Sequence, residues 1–348
     1  MESLSVAGRR IGPDAPPYVI AEIGANHNGD LSLCRELIDA AKACGADAVK
    51  FQSWTKQSLI SQAEYRRNTR YIGDGVPTLE QAVEQYQLTP DAHREVAAYC
   101  RQQGVVFFSS CFSRQEVELL ASLDAPAYKV ASMDVNHIPL LEVIARTGKP
   151  VMLSAGMATV GEVERALGAL RAAGATEIAV LHCVSVYPCP PALVNLRMIS
   201  TWRQVFGVPV GYSDHTLGAA VPIAAVATGA CIIEKHFTLD HALPGWDHGI
   251  SADPTEFRQM VDGARAAWEA AGDGVRRIVP EEIDKRKVFR RRMVAVRELK
   301  RGERLGPADV EFKRPGTGIQ PDELPYVVGR ALTRDVGAEE ELEWRDLA

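Results

Sequence analysis

Short apolar runs alternate along this chain with longer stretches patterned for amphipathic helices. Eight runs stand out: Tyr18 to Ile23, Ala48 to Gln52, Val105 to Ser110, Ala127 to Ser132, Pro150 to Gly156, Glu177 to Ser185, Pro209 to His215 and Cys231 to Phe237. They are nearly continuous in apolar residues, which marks strands buried on both faces. With helical segments between them, the pattern predicts an α/β fold in which parallel strands close into a (β/α)₈ TIM barrel. Helix starts are expected at Asp30, at Thr89 or Asp91, at Thr159 and at Asp253, with ends near Cys44, Gln103, Ala173 and Ala271. Gly45, Gly104, Gly148, Gly174 and Gly229 each stand shortly before a strand and suit left-handed C-terminal caps.

After Gly272-Asp273-Gly274 the pattern changes. A charged stretch leads to short segments, Met293 to Val296 and Val310 to Phe312, broken by Gly302, Gly306, Pro315, Gly316, Gly318 and Pro321. Dense turn chemistry around short strands predicts a small β-rich module. The expected organisation is a barrel over 1–274, a solvated linker over 275–288 and the module over 289–348.

In a parallel barrel the carboxyl ends of all strands open on one mouth. Almost every run here ends on a residue a packed core would not choose, so Glu22, Lys50, Gln52, Lys129, Ser132, Ser154, Ser213, His215, Glu234 and His236 are expected to face one another. Lys50 and Lys129 lie inside apolar strands, where an ammonium must be paired or must await an anion. A salt bridge to Glu22 or Glu234 is one reading. A phosphate or carboxylate ligand is the other, favoured by the hydroxyls of Ser132, Ser154 and Ser213 at neighbouring strand ends. His215 and His236 end consecutive strands and could share a divalent ion, with Asp247 adding a carboxylate or holding a water. Glu22 is either a lysine's partner or a general acid/base. His27, His182, His241 and His248 are weaker candidates, and His93 and His137 read as surface residues.

Composition narrows the classes. Hydrophobic content of 46% with 24% charged residues is ordinary for a globular protein, and a net charge of -6 argues against general nucleic-acid binding. No apolar run approaches a membrane span and the first residues lack a signal-peptide core, so a cytoplasmic protein without membrane partners is expected. Seven scattered cysteines with no C-x-x-C pair read as buried thiols rather than a disulfide or zinc framework. Walker, G-x-G-x-x-G, G-x-S-x-G and H-E-x-x-H patterns are all absent from the sequence.

Taken in order, the blocks IAEIGANHNGD (from Ile20), VKFQ (from Val49), YKVAS (from Tyr128), LSAGMAT (from Leu153), LHCVSVYPCP (from Leu181), GYSDHT (from Gly211), EKHFTLD (from Glu234) and KRPGTGI (from Lys313) resemble the sialic acid synthase family. That family condenses phosphoenolpyruvate with N-acetylmannosamine or a related sugar, on a TIM barrel followed by a SAF, or antifreeze-like, domain. The resemblance implies that Lys50, Lys129, Ser132, Ser154, Ser185 and Ser213 hold phosphoenolpyruvate. It implies that His215 and His236 bind Mn²⁺ or Mg²⁺, that Glu22 is the acid/base, and that Gln52, Asp134, Tyr187 and Asp247 face the sugar. It also implies a domain-swapped homodimer in which Arg314 reaches the sugar's acyl-amino group in the partner barrel.

Three positions depart from the sialic acid synthase pattern: Ser185 where an asparagine is usual, Asp134 for a longer glutamate and Trp246 for a proline. Serine at the first position is shared with enzymes making pseudaminic acid. The other two fall on the sugar side, leaving a diacetamido hexose, a plain hexose or another aldose open as acceptor. Two rival functions remain: a Schiff-base lyase using Lys50 or Lys129, and a carbohydrate-binding protein with an inactive barrel.

Overall fold

The computed structural model describes residues 3–68 and 78–348. The chain divides into two compact units, Met1–Gly272 and Asp273–Ala348.

The first unit opens with an antiparallel hairpin of β1 (Leu4–Val6) and β2 (Arg9–Ile11) that the sequence pattern did not suggest. Eight parallel strands follow: β3 (Tyr18–Gly24), β4 (Ala48–Gln52), β5 (Val106–Ser110), β6 (Tyr128–Val130), β7 (Val151–Ser154), β8 (Ile178–Cys183), β9 (Val210–Asp214) and β10 (Ile232–His236). They form the expected closed TIM barrel in sequence order, with β10 pairing back onto β3. Strand alternation sorts the side chains into two cores. Tyr18, Ile20, Ala48, Phe108, Met152, Ala179, Leu181 and Ile232 fill the barrel interior together with Leu4, Val6 and Ile11, so the hairpin's apolar side chains complete that core. The opposite parity, including Val19, Ala21, Val49, Val180, Tyr212 and Ile233, packs against the surrounding helices. Gly211 is required inside: a Cβ there would lie 2.7 Å from Ile232 Cβ and 2.8 Å from the Ile232 carbonyl.

Helices start where capping chemistry allows. Asp30, Thr89, Thr159 and Asp253 cap Leu31–Ala43, Pro90–Gln103, Val160–Ala172 and Pro254–Ala271, each side chain accepting a backbone N–H of the first turn. Gly45, Gly104, Gly148, Gly174 and Gly229 all take positive φ. The seven cysteines are buried and unpaired. Among the described residues no helix is long and apolar enough to cross a membrane.

In the second unit, the helix Pro280–Phe289, none of whose residues is buried, occupies most of the stretch read as a linker over 275–288 and runs one residue beyond it. Antiparallel β11 (Arg292–Ala295) and β12 (Val310–Lys313) follow, around a core that includes Met293, Leu299, Leu305, Ile319, Val327 and Leu342.

Candidate active site

Every barrel strand gives one polar side chain to the top interior layer: Glu22 from β3, Lys50 from β4, Ser110 from β5, Lys129 from β6, Ser154 from β7, Cys183 from β8, Ser213 from β9 and Glu234 from β10. They form the floor of a cavity of about 280 Å³ whose wall includes Gln52, Phe112, Met133, Met157, Tyr187, His215 and His236. All ten residues that the strand ends were expected to bring together line this cavity, as does Ser185. Ser110 and Cys183 were not singled out from the sequence. Their positions, Ser110 at the end of its apolar run and Cys183 two residues before the end of its own, on the parity of the other floor residues, were the available signal.

The floor mixes ammonium and carboxylate groups. Lys50 Nζ lies 2.7 Å from Glu22 Oε2 and 3.7 Å from Glu234 Oε1, and Lys129 Nζ lies 3.2 Å from the same Glu234 oxygen. Ser213 Oγ donates to Glu234 Oε1 at 3.2 Å, and Lys50 Nζ donates to Ser110 Oγ at 3.1 Å. Ammonium and carboxylate groups therefore alternate across the floor, because eight inward-facing positions at one level leave each charge an opposite charge within reach. Both readings of the lysines hold at once: they are paired, and their pairs front an open cavity.

Burial pushes the Glu22 carboxyl above its ordinary range; Lys50 opposes this and the charge of Glu234 adds to it. Burial alone would raise Glu234 too, but Lys129 and Lys50 outweigh it and hold that carboxyl low. Lys129 is lowered by burial, partly countered by Glu234. For Lys50 the two carboxylates outweigh burial and raise it. The two acids are thus pushed apart, one to carry a proton and one to stay charged, which is the usual arrangement for proton transfer beside a fixed charge. With Glu22 protonated the floor carries net positive charge, suited to an anion.

Several buried polar atoms of the site lack a hydrogen-bond partner within the protein: Ser154 Oγ, Glu234 Oε2 and His236 Nδ1. Such orphans are costly unless a ligand completes them. Beside them, the Ser132 hydroxyl accepts from the Gly156 N–H at 2.9 Å. A Cβ at Gly156 would run into Ser185 Oγ and sit 2.8 Å from Ser132 Oγ, so only glycine lets these two hydroxyls converge.

The imidazoles of His215 and His236 have ring centroids 5.5 Å apart. His215 Nδ1 bonds the Val184 carbonyl at 2.9 Å, which leaves Nε2 as the free lone pair. Burial lowers His236, favouring neutral imidazole despite Asp247, whose carboxylate is 3.6 Å from its Nδ1. Two imidazoles on neighbouring strands, one with an orphaned nitrogen, and an adjacent carboxylate fit a divalent cation. The Tyr187 ring lies against His215, tilted by 43° with centroids 4.1 Å apart.

Gln52 donates from Nε2 to Glu22 Oε1 at 2.8 Å and accepts from Trp54 Nε1 at 3.0 Å. Trp54 stacks on Trp246, which meets Tyr86 edge-on, so the tryptophan at the departed position belongs to an aromatic wall. Asp134 does not line the cavity. Asp134 ends the short turn Ser132–Asp134 after β6, and its carboxyl is pushed up to about 6 by burial, with His137 opposing and Glu116 adding to the shift. Arg314 lies in the second unit, its guanidinium over the Phe289 ring. Of the weaker histidines, His93 is buried rather than exposed, with Nε2 2.8 Å from Ser53 Oγ. His182 bonds the Val194 carbonyl, and burial holds His27 down at about 3.

Residues 37–276 match the model of the NeuB family, and residues 290–348 that of the SAF domain. The chain belongs to the NeuB family. It is 36% identical to the N,N'-diacetyllegionaminic acid synthase of Legionella pneumophila, over 95% of this chain and 94% of that one. It is 32% identical to the human N-acetylneuraminate-9-phosphate synthase, over 93% and 91% of the two chains. Among solved structures, the N-acetylneuraminic acid synthetase of Leptospira borgpetersenii in complex with citrate superposes with a TM-score of 0.74 at 31% identity, covering 83% of this chain and 97% of that one. As a NeuB-family barrel with a C-terminal SAF domain, this chain shares both of its parts with named sugar-acid synthases.

Proposed function

We propose that the protein condenses phosphoenolpyruvate with an aldose to give a 3-deoxy-2-keto sugar acid and phosphate. The observation that carries this reading is the convergence, in one cavity, of the Lys50 and Lys129 pairs with the orphaned Ser154 hydroxyl and the His215–His236 pair. The names of the relatives support the product class. N-acetylmannosamine and a diacetamido hexose are the leading acceptors.

The residues fit each step. Lys50, Lys129, Ser132, Ser154, Ser185 and Ser213 hold the phosphate and carboxylate of phosphoenolpyruvate, with the ammonium groups turning from their carboxylates toward the ligand. The enol carbon attacks the aldehyde carbon of the open-chain sugar; a carbon–carbon bond forms and the aldehyde oxygen takes up a proton, which the raised Glu22 carboxyl can supply. Water adds at the former enol carbon and gives up its proton to the Glu22 carboxylate. The carbon–oxygen bond to phosphate then breaks as the new hydroxyl becomes the 2-keto carbonyl, its proton leaves with the phosphate as hydrogenphosphate, and the lysines stabilise the departing dianion. A divalent ion, Mn²⁺ or Mg²⁺, held by His215 and His236 with Asp247 nearby, would polarise the aldehyde oxygen. Gln52 and Tyr187 flank the acceptor. A domain-swapped homodimer, with Arg314 contacting the acyl-amino group across copies, completes this reading.

Phosphate release from phosphoenolpyruvate, measured over a panel of aldoses with Mn²⁺ and after EDTA treatment, tests it. Aldose-dependent release that EDTA abolishes and Mn²⁺ restores is the expected result. Absence of release with every aldose, or a borohydride-trapped pyruvate adduct on Lys129 or Lys50, would refute it.

A further inference from the structure

A second buried ion pair lies directly behind the imidazoles, on the helix-facing side of the same two strands. Lys235 Nζ donates to Asp214 Oδ2 at 2.6 Å, with both side chains almost inaccessible to solvent. Asp214 and Lys235 stand opposite each other in the ladder and form the last register pair between β9 and β10. Both candidate metal-binding residues lie one position further on, His236 at the end of β10 and His215 beyond the end of β9. The ladder therefore does not set where His215 goes.

The ion pair does. Asp214 Oδ1 accepts from the Thr216 N–H at 2.9 Å, and Lys235 Nζ donates to the Thr216 carbonyl at 2.5 Å, so both backbone groups of the residue after His215 are tied to the pair. Tyr212 Oη donates to the same Asp214 oxygen at 2.9 Å, a further restraint on the carboxylate. Stability alone is a poor explanation for such a pair, because packed apolar residues of similar volume serve a core as well or better. What a salt bridge adds here is direction: it fixes the spacing of two strands and the path of one turn where two imidazoles must share a ligand.

We propose that Asp214 and Lys235 are positioning residues that set the separation and aim of His215 and His236, and thereby the affinity of the site for a divalent cation. This rests on the reading of the two histidines as metal ligands. The test is titration of the full-length protein with Mn²⁺, followed by electron paramagnetic resonance, alongside phosphoenolpyruvate binding. Three proteins are compared: wild type, Lys235→Met, and the double variant Asp214→Leu/Lys235→Met, which removes both charges and leaves neither unpaired.

The expected result is a loss of Mn²⁺ affinity of roughly 10–100-fold in both variants, the usual range for groups that orient metal ligands. The double variant should stay folded and melt above Lys235→Met but below wild type, since the Tyr212 hydroxyl and both Thr216 backbone groups lose their partners, and phosphoenolpyruvate affinity should stay within about twofold. Wild-type Mn²⁺ affinity in a folded double variant would overturn the positioning role while leaving the histidines as ligands. A wild-type protein that binds no Mn²⁺ would overturn the metal reading itself, and the clamp with it.

Discussion

Two buried ion-pair networks meet back to back at β9 and β10, each joining lysine to a carboxylate: Asp214 with Lys235 on the helix-facing side, and Glu234 with Lys50 and Lys129, which reach it from β4 and β6, on the interior side. On the helix-facing side, Asp214 and Lys235 are satisfied: the carboxylate accepts from Tyr212, Thr216 and Lys235, and the ammonium also reaches a carbonyl. On the interior side, Glu234 leaves one carboxylate oxygen without a hydrogen-bond partner, in the same cavity as the Ser154 hydroxyl and the His236 Nδ1, which also lack one. Both are buried, so burial does not distinguish them. Completion does: a satisfied network holds the chain, and an incomplete one facing a cavity waits for a ligand.

The contrast can be broken at either network. Lys235→Met strands Asp214 as a buried unpaired charge and should destabilise the folded protein by about 3–5 kcal/mol, read as a lower denaturant midpoint. The double variant should recover only part of that loss, because it removes the stranded charge but leaves the Tyr212 hydroxyl and the Thr216 backbone groups without partners. Lys129→Met on the interior side should act in the opposite sense. Glu234 keeps Lys50 and Ser213, so stability changes less, while kcat/KM for phosphoenolpyruvate falls roughly 10²–10³-fold. An unfolded Lys129→Met, or an active one, would erase the distinction.

Smaller changes sharpen it. Gly156→Ala drives a methyl group between Ser132 and Ser185 and should raise the phosphoenolpyruvate KM about tenfold with little change in melting temperature. Trp54→Phe removes the N–H that orients Gln52 toward Glu22, and kcat should fall roughly fivefold, the value of one hydrogen bond, with KM for phosphoenolpyruvate unchanged. Asp134, orphaned at Oδ2 but outside the cavity, gives the mildest test. Its carboxyl is raised to about 6 in the fold, so its protonated form favours the folded state at low pH, and that contribution is lost as pH rises through about 6. Asp134→Asn should therefore melt higher than wild type at pH 8 and show no gain at pH 4.

Much of the architecture could be read along the chain because it is written in local terms. Continuous apolar runs marked all eight barrel strands, and Asp30, Thr89, Thr159 and Asp253 marked helix starts through capping that needs only the next three residues. The N-terminal hairpin escaped notice since three-residue strands with a tight turn carry too little pattern. His93 was misjudged because its burial depends on Ser53 and Ser109, which belong to other elements. The second unit's helix at Pro280–Phe289 hid in a charged stretch whose residues are all solvated, leaving no apolar face to see.

By itself the sequence determined the barrel and the set of polar groups at its mouth, since strand periodicity dictates which residues point inward and parallel connection dictates that strand ends converge. Only the tertiary structure decided how those charges pair. Lys129 and Glu234 are 105 residues apart, and nothing local tells a lysine on one strand which carboxylate will stand at its level two or four strands away. Nor could residue type separate Lys235 from Lys50 and Lys129. All three are buried strand lysines, and the register of the closed sheet makes one a clamp and the other two a floor.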